Sequence, residues 1–175
     1  MQLYDYIFWN NLTKNNINHI FTKIAMITNH LQPIILALAI IYIKKDKLLN
    51  IEKISLASYT IIATIYTIYY WNDIDYTLIT EKSKPSLQWL WNDKDGNILL
   101  YLLYIISISL LFYNHFPYPG NIIVILLFIL SFLFSGFYYF KNKAVGRFWC
   151  YYGVFIIFIY SIGMYLYKKY NKVLY

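Results

Sequence analysis

Charged residues are scarce in this sequence, and cysteine, proline and glycine are rarer still. Asp, Glu, Lys and Arg make up 13% of the 175 residues, whereas a soluble domain contains about 25%. Hydrophobic residues make up 60% of the chain, which is more than its polar residues could cover in water. The composition therefore predicts an integral membrane protein. The single cysteine, Cys150, excludes an internal disulfide and a metal site built from several cysteines.

The motifs of common enzymes and channels are also missing. The sequence contains no HExxH zinc motif, no glycine-rich phosphate loop, no nucleophile elbow and no potassium-channel filter. His19 and His30 lie three turns apart on one predicted helix, and His115 lies in a predicted turn, so these histidines are not expected to share a metal. We therefore predict no enzymatic activity, no cofactor and no metal.

Aromatic residues are abundant, with 21 Tyr and 12 Phe. They accompany many Ile, Asn and Lys residues, and the codons of all these residues are mostly AT-rich. We interpret the aromatic content as a property of an AT-rich genome and give it little functional weight.

Five segments come close to the roughly 20 apolar residues that a helix needs to cross about 30 Å of hydrocarbon. Within lipid a segment must satisfy its own backbone, which favours helix over strand. The sequence thus predicts an all-α polytopic transmembrane bundle, residues 1–175 as a single membrane domain, with an amphipathic N-terminal segment as a short sixth element. A long loop is expected at 72–97. The predicted spans are residues 22–43, 54–71, 98–113, 122–140 and 148–167.

Positive charge collects at the predicted helix ends, as in 43–47, 141–147 and 167–172, and the net charge is +7. Basic residues at these positions favour contact with lipid head groups rather than with nucleic acid. The lipid bilayer is therefore the expected partner, together with other membrane proteins or further copies of the chain. The two sides of the predicted bundle carry nearly equal numbers of basic residues, so both orientations stay open.

A polar stripe runs along the first predicted span. Its members recur at intervals of four, three, four and three residues, which places them on one helix face about 80° wide. Pro33 cannot donate a backbone hydrogen bond, so a helix kink is expected there, with the carbonyl of Asn29 left free. The stripe consists of Asn18, Thr22, Ala25, Asn29 and Gln32.

Two interpretations of the stripe remain open. In the first, the amide side chains bond to neighbouring helices in a dry interior, each contributing about 0.6 kcal/mol. In the second, the stripe lines a hydrated cavity that passes a solute or ion. Lys23 is the one charged residue near the stripe, and it lies close enough to the helix end to extend toward water. Trp89, Trp91 and Trp149 are predicted to be anchors at the membrane interface.

Three stretches together resemble a family of uncharacterised multi-pass membrane proteins of giant DNA viruses and some protists. Residues 17–33, "INHIFTKIAMITNHLQP", are similar to a helix of that family that ends in Gln-Pro. Residues 86–91, "SLQWLW", are similar to its Trp-x-Trp element, and residues 146–150, "GRFWC", to the start of its last helix. Arg147 and Phe148 depart from the small residue and Met of the family. The resemblance implies a short member of viral or protist origin, and it implies no activity.

The expected function is that of a non-enzymatic membrane component or scaffold, located in a virion or an internal membrane of a host cell. The alternative is a conduit for a small solute or ion, lined by the stripe. A membrane enzyme that acts on lipid is a third possibility, which would require His30, His115 and the acidic loop at 72–97 to meet at one membrane face.

Overall fold

The computed structural model describes residues 2–79, 87–92, 94–139 and 145–171. Parts of the predicted 72–97 and 141–147 loops, the last basic residues and Ser86 of the "SLQWLW" element lie outside the described residues. Within the described ranges the chain forms a bundle of six α-helices with no strand, which confirms the predicted all-α class. The helices are α1 (Gln2–Trp9), α2 (Asn16–Ala39), α3 (Asn50–Tyr69), α4 (Asn97–His115), α5 (Gly120–Tyr139) and α6 (Val145–Asn171).

Four of the helical segments are long and apolar enough to cross a membrane, which supports membrane integration. The predicted span at 54–71 falls on α3, a 20-residue helix that is not one of the four, so a fifth span stays a prediction. The predicted amphipathic N-terminal segment forms the short helix α1. The four segments are Asn16–Lys44, Asn97–His115, Gly120–Tyr138 and Val145–Gly163.

Helix α2 has clear sequence signals at both ends. Asn15 is its N-cap, and the Asn15 side chain accepts a hydrogen bond of 2.8 Å from the backbone N–H of Asn18. The helix passes through Pro33 and continues into a π-helical turn at Ile40–Lys44. Lys45, with φ of 61°, ends it in the left-handed conformation. The result is one long helical segment that packs against α1, α3 and α4.

The bundle has two different ends. We call the end where α2 begins, α3 ends and α4 begins the cap end, and the opposite end the turn end. A cap segment, residues 71–79 and 87–92, folds over the cap end. Its apolar side chains Ile74, Leu87, Trp89 and Trp91 are buried against Phe8, Ala25 and Met26 of α1 and α2. Part of the predicted 72–97 loop is therefore packed against the helices, whereas Asn72, Asp73, Asp75 and Asp95 within it are exposed.

Helices α5 and α6 pack closely beside Gly120. A Cβ atom on Gly120 would overlap the ring of Tyr160. We expect Gly120→Ala to lower the free energy of unfolding by about 1–2 kcal/mol, because the Tyr160 ring or the helix must shift. Unfolding in mixed detergent micelles measures the effect. Tyr160→Leu should restore stability in the double variant, and Gly163→Ala, with nothing within 4 Å of its Cβ, is the matched control. Equal stability of the two alanine variants would contradict the expectation.

Candidate functional site: the polar stripe of α2

Asn18 begins the stripe at the cap end, and its side chain is fully buried. The amide nitrogen donates to the carbonyl oxygens of Asn11 at 2.7 Å and of Thr77 at 2.8 Å. The amide oxygen accepts from the backbone N–H of Thr77 at 2.9 Å and from the Thr22 hydroxyl at 3.2 Å. The Thr22 hydroxyl also lies 3.0 Å from that of Thr77. Asn18 thus uses its full hydrogen-bonding capacity to attach the cap segment to α2.

Lys23 does not extend into open water. Its side chain is 9% exposed, and its ammonium group donates to the backbone carbonyl of Trp71. The ammonium group also lies 4.8 Å from the centroid of the Trp71 ring and 3.9 Å from a carboxylate oxygen of Asp75. Lys23 therefore holds the start of the cap segment, with a charge that is partly compensated by Asp75.

Asn29 and Gln32 continue the stripe in the middle of the bundle. The amide oxygen of Asn29 accepts from the Cys150 thiol of α6 at 3.6 Å. The amide oxygen of Gln32 accepts from the hydroxyl of Tyr104 on α4. The two central stripe residues thus connect α2 to two different helices.

The helix turn at Pro33 is supported by side chains of α3. The Tyr59 hydroxyl donates to the backbone carbonyl of His30 at 2.9 Å. Nδ1 of His30 lies 2.8 Å from the Thr67 hydroxyl. Pro33 removes the backbone donor for the Asn29 carbonyl, and the Tyr59 hydroxyl bonds to the next carbonyl along the chain, that of His30. The helix continues through Pro33, and the kink predicted from the sequence stays a prediction.

A cavity of 280 Å³ lies beside the centre of the stripe, between α2, α4 and α6. Gln32, Tyr104 and Cys150 supply its polar surface, and its apolar walls include Phe128 and Trp149. Toward the cap end the stripe is closed, since Asn18, Thr22 and Ala25 all have 0% relative exposure. The cavity is therefore local and does not continue along the stripe to the cap end.

A second polar cluster lies at the turn end and was missed by the sequence reasoning. Glu52, whose side chain has 0% exposure, accepts from the Leu49 backbone N–H at 2.7 Å and the Asn114 amide at 3.0 Å. Nε2 of His115 lies 3.1 Å from the Glu52 carboxylate, and its Nδ1 lies 3.3 Å from Asp46. The only sequence signal was the position of Glu52 in the first turn of a helix, which is typical of a capping box.

Among the described residues, His115 and the acidic residues of the 72–97 loop lie at opposite ends of α4. His115 lies at the last residue of α4, and the described acidic residues Asp73, Asp75 and Asp95 precede its first residue. The two ends of this 19-residue helix are about 28 Å apart. Within the described residues, no group of three or more His, Cys, Asp or Glu side chains could hold a metal ion.

The three predicted anchor tryptophans all pack inside the protein. Trp89 and Trp91 are 1% and 0% exposed, and their rings stack with centroids 5.1 Å apart in the cap segment. Trp149 is 3% exposed and packs between α4 and α5, where its indole N–H donates to the Phe128 carbonyl at 3.1 Å. Their contacts are with other side chains of the chain rather than with lipid head groups, because neighbouring aromatic and apolar residues enclose them.

Arg147 forms an ion pair between two helices. Its Nε lies 2.8 Å from a carboxylate oxygen of Asp5, and the two side chains are 17% and 12% exposed. The pair joins the start of α6 to α1 at the cap end.

No protein-family model matches this chain, and the comparisons with curated proteins and with solved structures found no match.

Proposed function

We propose that the chain is a multi-pass, non-enzymatic scaffold of a membrane, with α2 as the helix that holds the other elements in place. The observation that carries this proposal is the hydrogen bonding of Asn18, whose four partners belong to the α1–α2 connection, α2 itself and the cap segment. A group that is saturated by protein and buried from solvent has a structural role. Because the sequence resembles the viral and protist family, we also propose that the chain is located in a virion or in an internal membrane of a host cell.

The central half of the stripe supports the scaffold in the same way. Asn29 and Gln32 each bond to a side chain of another helix. These contacts fit the first interpretation of the stripe, in which polar side chains connect helices inside a bundle. A scaffold also needs partners, and we propose lipid and other membrane proteins, or further copies of the chain.

A conduit for a small solute or ion is the second candidate, and one observation favours it. Gln32 lines the 280 Å³ cavity, and polar groups beside a cavity within a membrane often mark a pathway. The buried, hydrogen-bonded half of the stripe at the cap end weighs against this candidate, because a solute moving along α2 would have to separate Asn18 from Thr77.

Flux through liposomes tests the two candidates. We expect no ion or small-solute flux from the reconstituted chain or from Gln32→Leu. We also expect Gln32→Leu to lower the thermal midpoint by about 2 °C, because it loses an interhelical hydrogen bond of about 0.6 kcal/mol.

Thr64→Val is the matched control, since Thr64 is an exposed polar residue on α3, and its midpoint should not change. The unmodified chain could give flux while Gln32→Leu gives none, with circular dichroism showing that the variant keeps an intact helical bundle. That result would replace the scaffold by the conduit as the proposed function.

A further inference from the structure

The cavity beside Gln32 has the features of a ligand site that the scaffold role does not require. We propose that it binds a small, neutral, lipophilic molecule with one hydrogen-bond acceptor oxygen, such as an alcohol, ketone or ester of roughly ten non-hydrogen atoms. The proposal is independent of the scaffold function, because it concerns space that the scaffold contacts leave empty.

The walls determine the lipophilic character of the ligand. Apart from Gln32, Tyr104 and Cys150, the lining consists of apolar residues and Gly153. None of the described residues that line the cavity is charged, and an ion or carboxylate without a partner is costly to bury. The chemistry therefore selects a neutral molecule.

The hydrogen bonds at the polar wall determine which group the ligand needs. The Tyr104 hydroxyl donates to the Gln32 amide oxygen, and the Cys150 thiol donates to the Asn29 amide oxygen. The Gln32 amide lines the cavity, and because its oxygen already accepts from Tyr104, its two N–H groups are what it offers to a ligand. A ligand oxygen could accept a hydrogen bond from one of these N–H groups.

The volume limits the size of the ligand. A cavity of about 150 Å³ lined by apolar residues holds benzene, so 280 Å³ has room for roughly twice that number of atoms. Drug-sized ligands occupy pockets of about 300–1,000 Å³. The site therefore fits a short-chain lipophile better than a whole phospholipid or a sterol.

The opening of the cavity determines how the ligand enters. Ile157 of α6 lies at its edge, and its side chain is 46% exposed. An exposed apolar side chain in the middle of a candidate span faces the lipid chains. A lipophile dissolved in the bilayer could thus enter beside Ile157 without passing through water.

The single cysteine provides the test, because Cys150 lines the cavity. The full chain in lipid nanodiscs is treated with N-ethylmaleimide, and the alkylation rate of Cys150 is measured by mass spectrometry. The probes are 1-octanol, n-octane and octanoate, compared at equal concentrations in the bilayer. The alkylation rate should fall by a factor of one plus the ratio of the ligand concentration to its Kd. At twice its Kd, 1-octanol should therefore slow alkylation about threefold. Octane and octanoate should slow it much less.

Two glycines of α6 give matched variants. Gly153 lines the cavity, whereas a Cβ on Gly163 would meet nothing within 4 Å. We expect Gly153→Leu to fill the cavity and abolish protection by 1-octanol, and Gly163→Leu to retain it. Gln32→Leu should remove the preference for octanol over octane.

Ile157→Phe is a second cavity-filling variant, in case Gly153→Leu does not give a stable bundle. Equal protection by octane and octanol would overturn the proposal, because the Gln32 N–H would then have no role. Protection by octanol that persists in a folded Gly153→Leu or Ile157→Phe variant would overturn it as well.

Discussion

Replacing Asn18 by alanine is expected to lower the free energy of unfolding by about 3–4 kcal/mol, one of the two largest effects expected in this molecule. The substitution removes four hydrogen bonds and leaves the Thr77 N–H, the Thr77 carbonyl and the Asn11 carbonyl without their partner. All three groups belong to irregular backbone that has no helix to provide a substitute. Denaturation in mixed micelles, followed by circular dichroism, gives the free energy.

Asn10→Ala is the matched control for this prediction. The Asn10 amide bonds to the Tyr6 carbonyl on an exposed part of α1, so its loss should cost less than about 0.5 kcal/mol. Trp fluorescence provides a second measurement, since Trp89 and Trp91 should become exposed when Asn18→Ala releases the cap segment. A stable Asn18→Ala variant with unchanged fluorescence would show that the cap segment stays in place without the hydrogen bonds of Asn18.

Replacing Glu52 by alanine is expected to cost about 3–5 kcal/mol, because its buried carboxylate has three hydrogen-bond partners and a hydrogen bond to a charged group contributes about 1.5–3 kcal/mol. The change leaves His115, whose side chain is 6% exposed, with one remaining carboxylate partner. It also removes the acceptor for the Leu49 N–H and for the Asn114 amide. The turn between α2 and α3 and the end of α4 should therefore loosen together.

A double-mutant cycle with His115→Gln isolates the direct contact. We expect the two single substitutions to be strongly non-additive, with a coupling energy of about 1–3 kcal/mol, because each removes the same interaction. Asp73 and Lys94 at the cap end form a control pair, 3.8 Å apart and with half or more of the Asp73 side chain exposed, whose coupling should be below about 1 kcal/mol. Additive effects of Glu52→Ala and His115→Gln would show that the direct contact between the two side chains does not contribute to stability.

The inward direction of the stripe could be predicted from the sequence, because spacing alone determines which residues share a helix face. Asn18, Thr22 and Asn29 are indeed buried on α2. Their partners could not be predicted, since Thr77, Tyr104 and Cys150 come from distant parts of the chain and depend on how the helices pack. The position of the cavity beside Gln32 depends on the same packing.

The tyrosines show how a compositional argument can hide local roles. The high tyrosine content suggested an effect of the genome, and yet the hydroxyls of Tyr59, Tyr66 and Tyr104 donate to His30, Trp91 and Gln32. A tyrosine inside an apolar bundle places its hydroxyl roughly one helix turn away from its own backbone, where it can donate to a carbonyl oxygen of another element. Which tyrosines do so is decided by tertiary contacts.

The tryptophans show a related limit of the sequence argument. A Trp near the end of an apolar span is often an interface anchor, and that rule placed Trp89 and Trp91 at the membrane surface. The rule does not consider a connecting segment that folds back on the bundle. Phe8, Ile74 and Leu87 enclose the two rings. This enclosure depends on α1, a helix of 8 residues that is too short to show a clear hydrophobic pattern in the sequence.

The ion pair between Asp5 and Arg147 has a consequence for the order in which the molecule is completed during synthesis. The two residues are 142 positions apart, whereas the fully buried side chains that surround Trp89 and Trp91, such as Phe8 and Met26, all precede the two tryptophans in the chain. The cap segment can therefore close on α1 and α2 while α4 to α6 are still being made. Asp5 receives its counterion only when α6 arrives, so the first helix of the chain reaches its final electrostatic environment last.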